Sequence, residues 1–176
     1  MLGMMRSLLL VAGLVLSACG GGNTAPTNPA PSSGLNDADA LKKLDAELAK
    51  PLPDFWKETS IAFITDPVTM CNKADIDARV KADAGSQLEH AKAALLDAGI
   101  TVQESVDNAA IVFSIRILAN CSGSTPALVT GDVSAMPGNG AVAAKSDLFE
   151  VSRFDAGNVT LALLRNEAVI RKMQSR

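Results

Sequence analysis

Hydrophobic and polar positions along the chain fall into a few distinct patterns, each of which predicts an element. Leu8 to Leu16, LLLVAGLVL, is an unbroken run of apolar and small residues that gives way to Gly20-Gly21-Gly22-Asn23 just after Cys19. It is too short to cross a bilayer, which takes about 20 apolar residues. Residues 20–34, GGGNTAPTNPAPSSG, hold only Gly, Pro, Asn, Thr, Ser and Ala. Such a composition buries no apolar surface and predicts a disordered tether. Periodicity begins after it. Asn36 with Asp39 three residues on marks a helix start, and Leu41, Leu44 and Leu48 recur at helical spacing before Pro51. The spacing predicts an amphipathic helix over 37–49 whose leucine stripe packs on its own domain.

Ser60 to Thr65 predicts a buried strand ended by Asp66-Pro67. From Asn72, read as a cap, apolar residues recur at Ile76, Val80, Ala84, Leu88, Ala91, Leu95 and Ala98. Steps of three and four make a long helix, weakened or divided at Gly85 and stopped by a left-handed Gly99. Ile100 to Glu104 alternates as a second strand and Ala110 to Leu118 as a third. The first two strands flank a helix and are expected to be parallel, while the short joint around Asp107-Asn108 predicts an antiparallel hairpin between the second and third. Beyond Cys121 the pattern predicts strands over 127–133 and 148–154, a turn over 136–140, and a last helix capped by Asn158. That helix carries Val159, Ala162, Leu163, Val169, Ile170 and Met173 on one face. The expected fold class is α+β: one domain over 35–176 with a small mixed β-sheet, helices packed on one face and a β-α-β-β core.

The start of the chain has the parts of an export signal over residues 1–18, with Arg6 ahead of the apolar run and small residues at its end. Its last four positions, Leu16-Ser17-Ala18-Cys19, resemble the lipobox of bacterial lipoprotein precursors, which has a leucine, two small residues and a cysteine in that order. The resemblance implies that the signal is cleaved before Cys19, that the Cys19 thiol carries a diacylglyceryl group and that the freed amine is acylated. The mature chain then starts at Cys19, with 19–34 as its lipidated tether. One acyl chain anchors only marginally, whereas two or more hold stably. Under the enteric-type sorting rule, Gly20 in place of an aspartate implies the outer membrane, with the domain facing the periplasm. An ordinary signal peptide that happens to contain a cysteine is the alternative. The strand, helix, strand, strand order over 60–118 is also similar to small α/β modules of Gram-negative envelope lipoproteins that serve as accessory or assembly subunits. No functional residue carries over from those modules.

With Cys19 committed to lipid, the three cysteines of the chain reduce to Cys71 and Cys121. An even pair in an oxidising compartment usually closes a disulfide. Two separately buried thiols, or a metal or redox pair, are the competing readings. The expected hairpin conflicts with a bridge, since Cys71 and Cys121 would leave their strands at opposite ends. Either the segment from Thr65 to Cys71 doubles back, or one of the two expectations fails.

Charge and composition narrow the function classes. Removing residues 1–18 takes away Arg6 alone, leaving 15 basic against 19 acidic residues. No basic run exceeds Lys42-Lys43 or Arg171-Lys172, which argues against nucleic acid as a partner. With no Tyr, one Trp and five Phe, aromatic platforms for sugars or bases are not expected. His90, the only histidine, lies inside the long helix without a nucleophile elbow anywhere in the chain, so it reads as a surface or boundary residue. Asp66, Asp75 and Asp77 flank Cys71 without the spacing of a calcium loop, and Gly138-Asn139-Gly140 lacks the ending of a phosphate loop. Arg116, in the third strand, is expected to face solvent or to pair with an acid on a neighbouring strand. No catalytic, metal or cofactor site is expected. The sequence points to a lipid-anchored envelope protein with a non-catalytic structural or interaction role and an envelope protein partner. A small-ligand or lipid-binding lipoprotein is the alternative, and an envelope hydrolase a lesser one.

Overall fold

The computed structural model describes residues 36–122, 125–138 and 140–175. Cys19, the signal over 1–18 and the tether over 19–34 lie outside the described residues. Helix α1 spans Asp37–Leu48, strand β1 Ile61–Thr69, helix α2 Ala74–Asp97, strand β2 Ile111–Ser122 and strand β3 Thr125–Pro137. Two short strands, β4 at Ala144–Lys145 and β5 at Phe149–Glu150, precede helices α3 (Ala156–Leu163) and α4 (Glu167–Gln174). The mixed sheet has the order β1-β2-β3-β4, with β5 also on β3. Strand β1 is parallel to β2, and every other pairing is antiparallel. The helices pack on one face of this sheet, as the α+β expectation has it: α2 lies on β1 and β2, α3 and α4 lie on β3, and α1 lies against α3.

Alternation along β2 sets the core. Ile111, Phe113, Ile115, Ile117 and Ala119 are fully buried, while the residues between them are half-buried on the other face. Helix α2 covers that core with Ile76, Val80, Ala84, Ala91 and Leu95. It runs unbroken through Gly85 and ends as its sequence requires: Gly99 takes φ 75°, and the N–H groups of Gly99 and Ile100 donate to the carbonyls of Leu96 and Leu95. Helix α1 begins at Asn36, whose side chain accepts from the Asp39 N–H. Its Leu41 and Leu44 pack on the domain's own core.

Two close approaches depend on glycine. A Cβ at Gly131 would overlap the Phe154 ring, so glycine lets that ring lie flat on β3. A Cβ at Gly157 would meet Ala94 at 2.8 Å, so α3 crosses α2 nearly backbone to backbone. Buried polar groups tie the layers together. The Trp56 indole N–H donates to the Leu164 carbonyl at 2.7 Å, satisfying an orphan acceptor at the end of α3. Gln87 of α2 accepts from the Ala156 N–H and donates to the Phe154 carbonyl, fixing the entry of α3.

Several expectations need correction. Residues 100–104 form no strand of their own, since only Val102 pairs, in an isolated bridge with Ile61. Thr101, Gln103 and Glu104 are exposed, too little apolar surface to hold a strand in a core. The β-α-β-β core is therefore β1, α2, β2 and β3, and the expected third strand is β2. Strand β1 continues through Asp66-Pro67 because it is an edge. The Met70 N–H donates to Ala119, so even-numbered residues of β1 point their N–H at β2 and Pro67 sits on the outer edge, where no donor is needed. Helix α2 starts at Ala74 with Lys73 in the cap position, not at Asn72. The expected last helix is two: Asp155 caps α3, the chain turns at 164–166, and Asn166 caps α4. The strand expected over 148–154 shrinks to β5 followed by a 3-10 turn at Val151–Arg153, whereas that over 127–133 lengthens to β3 and takes in Met136 and Pro137.

Candidate functional site

The cysteine pair follows from the parallel register of β1 and β2. Thr69 lies opposite Ala119, so two residues further on Cys71 and Cys121 meet across the same two strand ends. They form a disulfide with a Cα–Cα distance of 5.4 Å. The chain leaving β1 stays beside β2 because Met70 donates to Ala119 and the Cys71 N–H donates to Thr69 Oγ1 at 3.1 Å. No doubling back of 65–71 is required, and the conflict with a bridge disappears together with the expected hairpin.

The face of the sheet opposite the helices carries an ordered set of side chains. Asp66, Arg116 and Asp132 are directly opposite one another on β1, β2 and β3. Both Arg116 Nε and Nη2 donate to Asp132 Oδ2, at 2.9 and 2.7 Å, and Lys145 Nζ lies 3.4 Å from Oδ1. The Asp132 side chain is only 2 % exposed, against 32 % for Arg116 and 42 % for Lys145, so the two cations cover the carboxylate. Arg116 thus pairs with an acid on its neighbouring strand, as expected. Asp132 and Lys145 were not singled out by sequence reasoning. The one available signal was the matching placement of Arg116 and Asp132 within two apolar alternating strands. On one side of the ionic row lie the half-buried Val68 and Leu118, on the other Ile64, Ser114 and Ser134, and Val112 with Met136 come one row further on.

A groove of about 300 Å³ opens between α1, α3 and the segment joining β4 to β5. Leu44, Phe149 and Leu163 contribute apolar surface, and Lys43 and Asp147 at its margin form a 3.3 Å ion pair. The remaining candidates are scattered. His90 is exposed on α2, and Asp77 pairs with Lys81 within the same helix at 2.6 Å. Asp75 lies exposed in the first turn of α2, and Asp66 is on the far side of the bridge in β1. Among the described residues, no group of three or more His, Cys, Asp or Glu side chains is placed to hold a metal ion. No helix among them is long and apolar enough to cross a membrane.

No protein-family model matches the chain, and no curated protein matches it. Among solved structures the chain is similar to a dodecamer of a PelC point variant from Paraburkholderia phytofirmans, at 19 % identity and a TM-score of 0.35, over 72 % of this chain and 95 % of that one.

Proposed function

We propose that this chain is a bacterial envelope lipoprotein, anchored through acyl groups on Cys19 and carrying a non-catalytic domain with a structural or protein-interaction role. The observation that carries the reading is Leu16-Ser17-Ala18-Cys19 at the end of an apolar run too short to span a bilayer. Gly20 after the cysteine, where the enteric-type sorting rule has aspartate for inner-membrane retention, supports the outer membrane. The Cys71–Cys121 bridge supports an oxidising compartment, because disulfides are rare where thiols are kept reduced. The tether composition of 20–34 lets the domain stand away from the bilayer. Cys19→Ala is expected to leave an uncleaved precursor that incorporates no labelled palmitate. Normal cleavage and labelling of that variant would contradict the reading.

A second reading, binding of a small amphiphile, has the groove beside α1 in its favour. Its volume of about 300 Å³ lies at the lower limit of ligand pockets. Leu44→Trp would fill it from α1 without altering Cys19 or the long strands β1, β2 and β3. Under the first reading this variant keeps envelope function. A matching loss of function and of binding to a fluorescent fatty-acid probe would favour the second.

A further inference from the structure

We infer that helix α1 is a releasable extension of the tether: drawn from its N-terminal end, it peels off the domain, pivots at Lys50-Pro51 and lengthens the reach of the domain from its anchor. The inference goes beyond the proposed function. Its gain in reach rests on the anchor at Cys19, whereas the peeling does not. Helix α1 is thinly attached along its length. Of its twelve residues only Asp37 and Ala40 are buried, whereas the eight-residue α3 buries six. Leu41, Leu44 and Leu48 are half-buried, and the groove of about 300 Å³ opens between α1 and α3, so the two helices are not close-packed along that side. Polar groups weaken the contact further. Among the described residues, three buried side-chain oxygens lack a hydrogen-bond partner, and two of them, Asp37 Oδ1 and Glu47 Oε2, belong to α1. A buried carboxylate oxygen without a donor destabilises the docked state, and release returns it to water.

The two ends of α1 are held unequally. Toward the tether, Asp37 Oδ2 lies 3.5 Å from Arg153 Nη1, and Lys43 Nζ lies 3.3 Å from Asp147 Oδ2. The Lys43, Asp147 and Arg153 side chains are exposed, and ion pairs in water contribute little. At the far end, Arg165 Nε donates to the Lys50 carbonyl at 2.8 Å while its Nη1 donates to the Leu161 carbonyl at 2.7 Å, which fixes the guanidinium on α3. Pro51-Leu52-Pro53 follows and cannot continue the helix. A pull arriving through the tether therefore meets the weaker end first and stops at Arg165.

Release changes the reach without opening the core, because Trp56, β1 and the disulfide all come after the pivot. Sixteen residues, 20–35, separate Cys19 from Asn36 and span at most about 55 Å. A free helix of twelve residues is marginal in water, so α1 unwinds once it is released. Thirty residues, 20–49, then separate Cys19 from Lys50, and the limit rises to about 100 Å.

Native-state amide hydrogen exchange on the full mature chain, purified in detergent, tests the inference. The amides of α1 are expected to exchange at least about a hundredfold faster than those of the buried Ala84, Ala91 and Leu95 of α2, with Ala40 to Lys43 ahead of Ala46 to Ala49. Leu44→Ala is expected to speed the α1 amides by about tenfold and to leave those of α2 unchanged. Glu47→Leu removes a partnerless oxygen, adds apolar surface to the groove, and is expected to slow the α1 amides by about tenfold. Helix α1 as well protected as α2, or Leu44→Ala shifting both helices together, overturns the proposal. Intact mass of the same preparation reads the anchor separately. An acylated chain with α1 as protected as α2 refutes the extension alone, and fast α1 exchange in a chain without lipid refutes the anchor alone.

Discussion

Single side chains hold this domain together chiefly by completing polar groups that the elements leave open. Trp56 is fully buried and its only polar atom reaches the Leu164 carbonyl. Trp56→Phe keeps most of the apolar volume but strands that acceptor, a loss of about 1–3 kcal/mol for an unsatisfied buried group. Urea unfolding is expected to show a lower midpoint with an unchanged slope, and an unchanged midpoint would mean that the Leu164 carbonyl finds another donor. Asp132 follows the same logic with higher stakes. Its carboxylate is buried under Arg116 and Lys145, and removing one partner of a buried ion pair typically costs about 3–5 kcal/mol. On the short turn before β1, Lys57 hydrogen-bonds the exposed Asp54 and holds its carboxyl below the usual carboxylate range.

At the scale of elements, the disulfide fastens the ends of two paired parallel strands that the chain connects through α2 and the segment after it. Its closed loop has a sequence separation of 50, for which the loop-entropy account assigns about 4 kcal/mol. The Cys71→Ala, Cys121→Ala double variant is expected to lose about that much by chemical unfolding. A loss near zero would show that β1–β2 pairing and α2 already hold the ends together in the unfolded ensemble. How far the elements could be read from the sequence depended on whether local pattern alone decided them. Asn36 and Gly99 are local signals, and α1 and the end of α2 stand where they predicted. Ile100 to Glu104 alternates as a strand does, but Ile100 is consumed by the end of α2 and Val102 alone pairs. Pro67 reads as a stop unless the strand is known to be an edge, which is a property of the whole sheet. The final helix carries one continuous apolar face in sequence, yet α3 ends at Leu163 and the Asn166 side chain, accepting from the Ala168 N–H, caps a new start. The candidate face was legible only at Arg116. Its partner Asp132 is set by the antiparallel register of β2 and β3, and Lys145 by a strand two residues long.

The whole molecule combines a predicted anchor, a predicted tether and a described domain, and the proposed function depends on their order. The described residues begin at Asn36, and α1 lies against α3. If Cys19 carries no lipid, the proposed anchor and the proposed tether lose their role together. The central claim is thus a statement about one residue with consequences for the entire chain. Intact-mass analysis of the protein extracted from membranes tests it most directly. A mature chain beginning at Cys19, heavier than its polypeptide by the mass of a diacylglyceryl group and an amide-linked acyl group, is the predicted result. A chain that begins at any other residue, or one that begins at Cys19 with the mass of bare polypeptide, would contradict it.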